Sequence, residues 1–228
     1  MNRYELLIFD WDGTLVDSIG RIVQSISAAA ASCGLPVLDE SVIKGIIGLG
    51  LPEAIAALYP HVTDSRTAEA FRRAYADHYL SLEVEPSMPY PGVVSALQDF
   101  RDRGHLLAVA TGKGRRGLDR VLAGQGWDDF FDVTRCADET ASKPDPLMLH
   151  EILSHCGVPP ERALMIGDSV FDLEMARRAG VDSVAVSYGA QPLDVLRACS
   201  PCLTIKHFSE LSDWLRSAES AVEVAYVG

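Results

Sequence analysis

A chain of 228 residues with 48% hydrophobic content can bury a substantial core, as one large domain or two modest ones. Its formal net charge of −12 and pI near 4.8 set nucleic acid and anionic membranes aside as partners, because binding to either depends on Lys and Arg displacing counterions. No apolar run approaches the ~18 residues of a membrane span, and the N-terminus reads as lacking a basic-then-apolar export signal, so a cytoplasmic location is expected.

The first predicted element is a strand over residues 5–10. Leu6, Leu7, Ile8 and Phe9 are apolar in unbroken succession, as in a strand covered on both faces, since a half-buried one would alternate. The run ends abruptly in Asp10-Trp11-Asp12-Gly13-Thr14. From Ser18 to Cys33 the period changes. Ile19, Ile22, Val23, Ile26 and Ala30 recur at helical spacing, with Asp17 or Ser18 placed to cap the start and Gly34 and Pro36 to end it. Three further helical patterns follow near 40–46, 52–59 and 65–82, the last with Ala68, Phe71, Tyr75, His78 or Tyr79, and Leu82 on one face. No strand-like run lies among them. Glu83 to Gly92 holds Pro86, Pro89, Pro91 and Gly92, a breaker-rich linker into a different domain.

Beyond it helix and strand alternate. Val93, Val94, Leu97 and Phe100 mark a helix stopped by Gly104, and Leu106 to Ala110 is a second buried strand ending at Thr111. A helix near Arg115–Ala123, a strand near Phe131–Cys136, a helix near Pro146–Cys156 and a strand over Ala163–Ile166 follow, the last ending in Gly167-Asp168. Helix Val170–Ala179, strand Val184–Ser187, a short strand at 203–205 and a closing helix at 208–219 complete the chain. Such alternation predicts an α/β fold, a Rossmann-like parallel sheet with helices on both faces. The expected domains are a core over residues 1–15 and 89–228 and an inserted helical domain over 16–88.

The ends of the buried strands carry the chemistry. The first ends in Asp10-x-Asp12-Gly13-Thr14, the second in Thr111-Gly112-Lys113, and the fourth in Gly167-Asp168-Ser169 with Asp172 one helical turn on; Ser142-Lys143-Pro144 precedes the helix after the third. A parallel sheet brings these ends to one edge, where open α/β sheets bind ligands. Asp10, Asp12, Asp168 and Asp172 would then share a small site, and two like charges ~4 Å apart repel by about 4 kcal/mol at an effective dielectric near 20. Such a cluster needs cations. Lys143 supplies one, and a hard divalent ion with carboxylate and water ligands, which is Mg²⁺ behaviour, supplies the rest. Magnesium with a lysine and a hydroxyl alongside suits a transferring phosphoryl group.

With four motifs in order over residues 5 to 190, the sequence resembles the haloacid-dehalogenase-like superfamily, and within it the phosphoglycolate-phosphatase-like branch with a helical cap. The resemblance implies that residues 16–88 form that cap and that Asp10 is a nucleophile forming an aspartyl-phosphate. Asp12 would protonate the leaving alcohol and then take a proton from the hydrolytic water. It further implies that Thr111 and Lys143 bind phosphoryl oxygens. Mg²⁺ would be held by Asp10, the backbone carbonyl of Asp12 and Asp168, with Asp172 either a water-mediated ligand or a partner for Lys143. Gly13, Thr14, Gly112, Lys113 and the cap-loop Gly48 are candidates for contacts to substrate or phosphate. The expected partner is a small phosphate ester, and the expected assembly a monomer or homodimer.

Asp12 argues against dehalogenases, which lack an acid there, and against phosphonate hydrolases, which carry Ala there and a cap lysine base. Lys44 is near the cap loop but reads as a solvated charge. Sugar phosphomutases place a histidine where this chain has Ile22, so hydrolysis is favoured over isomerisation. The competing reading is dinucleotide binding by an oxidoreductase, since Gly112-Lys113-Gly114-Arg115-Arg116-Gly117 fits G-x-G-x-x-G after a strand, with Asp132 about twenty residues on. It leaves Asp10, Asp12, Lys143 and Asp168 unexplained. The segments Val16-Asp17 and Ser87–Pro91 are candidate hinges. The loop 45–52, closing over the phosphate, contains no Arg or Lys between Gly45 and Glu53. The five cysteines are scattered, and the C-x-x-C spacing of Cys199 and Cys202 lacks a second pair.

Overall fold

The computed structural model describes residues 3–82 and 87–226; Glu83–Pro86, part of the expected linker, lie outside the described residues. Strand β1 is Leu6–Phe9, with all four side chains fully buried. Leu7 and Phe9 pack with Phe100, Leu107 and Val109 on one face, while Leu6 and Ile8 pack with Ala108, Met148 and Met165 on the other. Two-sided cover is what an unbroken apolar run requires, and each such side chain contributes about 1.5–3 kcal/mol.

Strands β2 (Leu106–Thr111), β3 (Val133–Cys136), β4 (Ala163–Gly167), β5 (Asp182–Val186) and β6 (Leu203–Ile205) join β1 in one parallel sheet of order β3-β2-β1-β4-β5-β6. The chain therefore builds outward from β1 in one direction and then in the other. The reversal beside β1 is the switch point at which such sheets leave a crevice above their carboxyl ends.

Helices α1 (Ile19–Ser32), α2 (Glu40–Lys44), α3 (Leu51–Leu58) and α4 (Ser65–Leu82) form the inserted cap. Its own core joins Ile22 and Ile26 of α1 to Phe71 and Tyr79 of α4, with Ile43, Ile55 and Tyr59 between them. Core helices are α5 (Val93–Asp102), α6 (Arg115–Gln125), α7 (Leu147–Cys156), α8 (Val170–Ala179), α9 (Leu193–Ala198) and α10 (Ser209–Tyr226). Among the described residues no helix is long and apolar enough to cross a membrane.

The structure corrects several local expectations. Ser18 occupies the N-cap position of α1 but makes no side-chain cap bond; its hydroxyl donates to Asp12 Oδ1 at 2.7 Å. Val94 does not belong to the buried face of α5, being 55% exposed. Strand β3 starts at Val133, after a turn built by Trp127, Phe130 and Phe131, in which the Phe131 ring packs edge to face with both of the others. Helix α9 is too short for a periodic signal and had none.

The two crossings between core and cap pair with each other. Asp17 N donates to Met88 O (2.9 Å) and Tyr90 N to Leu15 O (3.0 Å), with an antiparallel bridge between Val16 and Pro89. Both strands of the connection are thus held side by side.

Candidate active site

Sheet register positions the site. Phe9 lies level with Val109 of β2 and Ile166 of β4, and neighbouring strands are about 4.8 Å apart. One or two residues further along, Asp10, Thr111 and Asp168 therefore emerge together, and all three are buried. Lys143 comes from the loop after β3, where the Lys143–Pro144 peptide is cis. Its ammonium lies 2.6 Å from Asp10 Oδ1 and 2.6 Å from Asp172 Oδ1, with its side chain and that of Asp172 wholly inaccessible.

Asp172 is committed on both oxygens. Oδ2 accepts from Ser169 N (3.1 Å) and Ser169 Oγ (2.6 Å), and Ser169 Oγ in turn accepts from Asp172 N, a reciprocal capping box at the start of α8. Of the two roles open to it from sequence, the geometry is that of the partner for Lys143. Asp168 Oδ2 accepts from Ala190 N at 2.6 Å, and Oδ1 faces the Thr14 hydroxyl at 3.4 Å.

Carboxylate oxygens of Asp10, Asp168 and Asp172 all lie within 4.8 Å of one another. With Lys143 as the one cation among them, the group carries two more negative charges than positive if all are ionised. Burial pushes the Asp10 carboxyl up to about 7 against the pull of Lys143. Burial, then the charge of Asp10, raises Asp168 well above the carboxylate range. Lys143 stays charged because the two carboxylates outweigh its own desolvation. Asp10 Oδ2 is buried with no hydrogen-bond partner. An orphaned carboxylate oxygen inside an excess of negative charge fits a hard divalent cation, which Asp10 would hold by that oxygen together with Asp168, whose carboxylate meets only the Ala190 amide and, at 3.4 Å, the Thr14 hydroxyl.

Asp12 stands apart from that cluster. Its carboxylate takes the Ser18 hydroxyl on Oδ1 and Lys113 Nζ on Oδ2 at 3.1 Å, so any part it has in holding a cation is left to its backbone carbonyl. The Asp12 charge holds Lys113 protonated despite burial of the ammonium. That ammonium also lies 4.9 Å from the ring centroid and 3.5 Å from the hydroxyl of Tyr79 on the cap. Sequence reasoning missed Tyr79 as a site residue, because one of two adjacent aromatics on an amphipathic helix carries no mark of what it faces.

The candidate glycines and Thr14 divide by placement. Gly13 (φ +87°) has no room for a side chain because the Asp168 carboxylate fills the place of a Cβ. Thr14 is fully buried and also addresses Asp168. Both therefore pack directly against Asp168. Gly48 (φ +109°) and Gly112 face each other across the cap–core junction: a Cβ on Gly112 would stand 2.5 Å from the carbonyl oxygens of Gly48 and Leu49. Gly50 N donates to Ser142 Oγ (2.8 Å), and Gln191 Nε2 to Gly45 O (3.2 Å), so the cap loop is seated on the core. Neither Ser142 nor Gln191 carried a signal in the sequence.

The dinucleotide fingerprint has a different explanation. Gly112 lies under the cap-loop carbonyls, and the start of α6 is already occupied by Asp138, whose Oδ1 accepts from Arg115 N at 2.9 Å. A pyrophosphate needs that backbone exposed and that helix start free of anions. Asp132, the acid at the expected spacing, accepts from Leu107 N at the base of β2. Between cap and core runs a cavity of about 660 Å³ walled by Asp10, Asp12, Gly48, Thr111, Gly112 and Lys113 among others. Of the acids described above, Asp10, Asp12 and Asp138 reach its wall.

Comparison with known proteins accords with this geometry. The chain is 34% identical over 209 residues to a protein named probable phosphatase IndB of Dickeya dadantii, spanning 90% of this chain and 91% of that one. It is 32% identical to a phosphoglycolate phosphatase of Mesorhizobium japonicum over 91% and 92% of the two chains, and 32% identical to an N-acetylmuramic acid 6-phosphate phosphatase of Pseudomonas aeruginosa over 95% and 96%. The crystal structure of a predicted phosphoglycolate phosphatase from Haemophilus somnus superposes with a TM-score of 0.81 at 25% identity, over 93% of this chain and 98% of that one. Residues 7–186 match the haloacid dehalogenase-like hydrolase model, and with the buried acids at the ends of β1 and β4 in place, the chain belongs to the haloacid dehalogenase-like hydrolase family.

Proposed function

We propose that this chain is a Mg²⁺-dependent phosphatase that hydrolyses a small phosphomonoester through a phosphorylated Asp10. The observation that carries the proposal is Asp10 itself: a buried carboxylate at the switch point of the sheet, fixed on one oxygen by Lys143 and without a partner on the other. A group so placed is oriented as a nucleophile and shielded from competing water.

In the proposed reaction the Asp10 carboxylate forms a bond to phosphorus as the ester P–O bond breaks, and Asp12, which enters this step carrying a proton, gives it to the departing alkoxide. Water then attacks the aspartyl-phosphate while Asp12 takes up its proton, and inorganic phosphate leaves with Asp10 restored. Ser18 and Lys113 hold the Asp12 carboxylate by both oxygens, so its direction is set before substrate arrives. Thr111 and Lys143 are proposed to bind phosphoryl oxygens. Mg²⁺, held by Asp10, Asp168 and the carbonyl of Asp12, would supply charge for the phosphoryl oxygens as they become more negative. Domain limits of 1–15 with 89–228 and 16–88 belong to the same proposal, with the paired crossings at Val16-Asp17 and Ser87–Pro91 as the hinge.

Phosphoglycolate and N-acetylmuramic acid 6-phosphate are esters for which relatives are named, and both belong in the first substrate panel. With p-nitrophenyl phosphate and Mg²⁺, Asp10→Asn is expected to lose at least about 10³-fold in turnover, equivalent to about 4 kcal/mol of barrier. Asp12→Asn is expected to accumulate a covalently phosphorylated chain visible by intact mass, because an activated leaving group departs without a proton whereas the hydrolytic water must give one up to a base. Retained turnover in Asp10→Asn overturns the assignment of the nucleophile.

A further inference from the structure

Lys113 is held by core and cap together. Its backbone N–H donates to Thr111 Oγ1 at 3.1 Å in the loop after β2, and its ammonium pairs with Asp12 Oδ2 at 3.1 Å, the two side chains being 11% and 13% exposed. The same ammonium lies over the ring of Tyr79 on cap helix α4, 4.9 Å from the centroid and 3.5 Å from the hydroxyl. A cation within about 6 Å of a ring centroid is attracted by the negative face of the ring, and more strongly where water is excluded. The ring does this without neutralising the ammonium, so the charge that meets Asp12 is undiminished.

Tyr79 is suited to hold a lysine because its own position is fixed. It is 5% exposed and packs in the cap core with Ile22, Ile26 and Phe71, and the Tyr75 ring, one helical turn earlier, lies 5.8 Å from its own. The Arg21 guanidinium of α1 stands 5.9 Å from the same centroid. Lys113, by contrast, ends in an ammonium on a flexible four-carbon stem, and the cavity it lines also contains Asp10 and Asp138, anions that compete with Asp12 for that ammonium. A bound phosphate would compete too. The Tyr79 ring favours the one arrangement in which the ammonium stays beside Asp12.

Asp12 accepts on both oxygens, from Ser18 on Oδ1 and from Lys113 on Oδ2, which is the arrangement of a carboxylate rather than of a carboxylic acid. In the proposed reaction it becomes that carboxylate once the leaving alkoxide has taken its proton. Resting on the phosphatase proposal above, we infer that Tyr79 is a positioning residue for the second half of the reaction, its ring keeping Lys113 on Asp12 so that the carboxylate is aimed at the hydrolytic water. In that step the water oxygen bonds to phosphorus, the bond from phosphorus to the Asp10 oxygen breaks, and a proton of the water passes to Asp12.

The test uses p-nitrophenyl phosphate, whose leaving group departs unprotonated, in the presence of Mg²⁺. Its kcat/KM reports formation of the phosphorylated chain, and kcat divided by the fraction of chain phosphorylated at saturating ester, read by intact mass after acid quench, gives the rate constant for hydrolysis. Tyr79→Leu is expected to lower the hydrolysis constant by about tenfold or more while kcat/KM stays within about threefold of the wild type. Tyr79→Phe, which keeps the ring, is expected to retain most of the hydrolysis rate. Lys113→Met is expected to lose at least as much as Tyr79→Leu, and adding Tyr79→Leu to it to cost nothing further, because the two changes remove one shared interaction. Tyr79→Met takes the place of Tyr79→Leu if the latter fails to fold. Equal losses in kcat/KM and in hydrolysis, losses that multiply in the double variant, or a Tyr79→Phe as impaired as Tyr79→Leu would overturn the role given to Tyr79 alone. No phosphate release by the wild type from p-nitrophenyl phosphate would overturn the phosphatase proposal together with it.

Discussion

Lys143 holds the site together electrostatically, and it does so without solvent. Two carboxylates share its ammonium at 2.6 Å each, all three side chains being almost wholly buried. Removing one member of a buried ionic group leaves an uncompensated charge, which costs about 3–5 kcal/mol. Lys143→Met is therefore expected to lower stability by that amount, read from the midpoint and slope of a urea transition. Asp172→Asn, which leaves Lys143 its bond to Asp10, is expected to lose less. The residue types at these positions were legible in the sequence, because an Asp or Lys at the end of an apolar run has few other reasons to be there. Which oxygen each would take was not. The double commitment of Asp172, to Lys143 and to Ser169, needs coordinates, although the Ser169-x-x-Asp172 spacing already had the form of a capping box.

The cap loop meets the core through backbone rather than side chains. Gly112 and Gly48 approach so closely that a methyl on Gly112 would displace two carbonyl groups, and Gly50 N and Gly45 O are each tied to a core side chain. Gly112→Ala is expected to push the loop away from Thr111 and Lys113. It should lower kcat/KM by about tenfold or more, since misplacement by an ångström has that order of effect, with little change in the thermal midpoint because both domain cores are untouched. A variant with wild-type kinetics would show that the seated loop is not needed for turnover. Periodicity placed the long helices well, with α4 at 65–82 and α8 at 170–179 both at their expected limits. It failed on α9, where six residues hold fewer than two helical turns, and on the position of Val94, where an apolar residue stands in solvent beside the buried Val93.

At the scale of the molecule, the folded state concentrates negative charge that the unfolded chain would disperse. Three buried carboxylates around one lysine make the metal-free fold carry a repulsion that a divalent cation removes. Mg²⁺ is therefore expected to raise the thermal midpoint, by about 2.7 kcal/mol of stabilisation at a concentration one hundred times its dissociation constant, and EDTA to reverse the gain. Calorimetric scans with and without the metal check this, and Asp168→Asn is expected to blunt the response. A midpoint indifferent to Mg²⁺ would argue against a cation among these acids.

The sequence by itself determined the α/β class, the place of the helical insertion after the first strand, and the identity of the acids and lysine that gather at one sheet edge. It could do so because hydrophobic period reports burial locally and parallel strands must end together. Tertiary structure alone decided that Thr14 and Gly13 serve Asp168, that Ser18 and Lys113 orient Asp12, and that Tyr79 reaches Lys113 from the cap. The Thr14–Asp168 pairing alone joins residues 154 positions apart through the geometry of packed loops, and no local pattern of polarity encodes which distant polar group a side chain will meet.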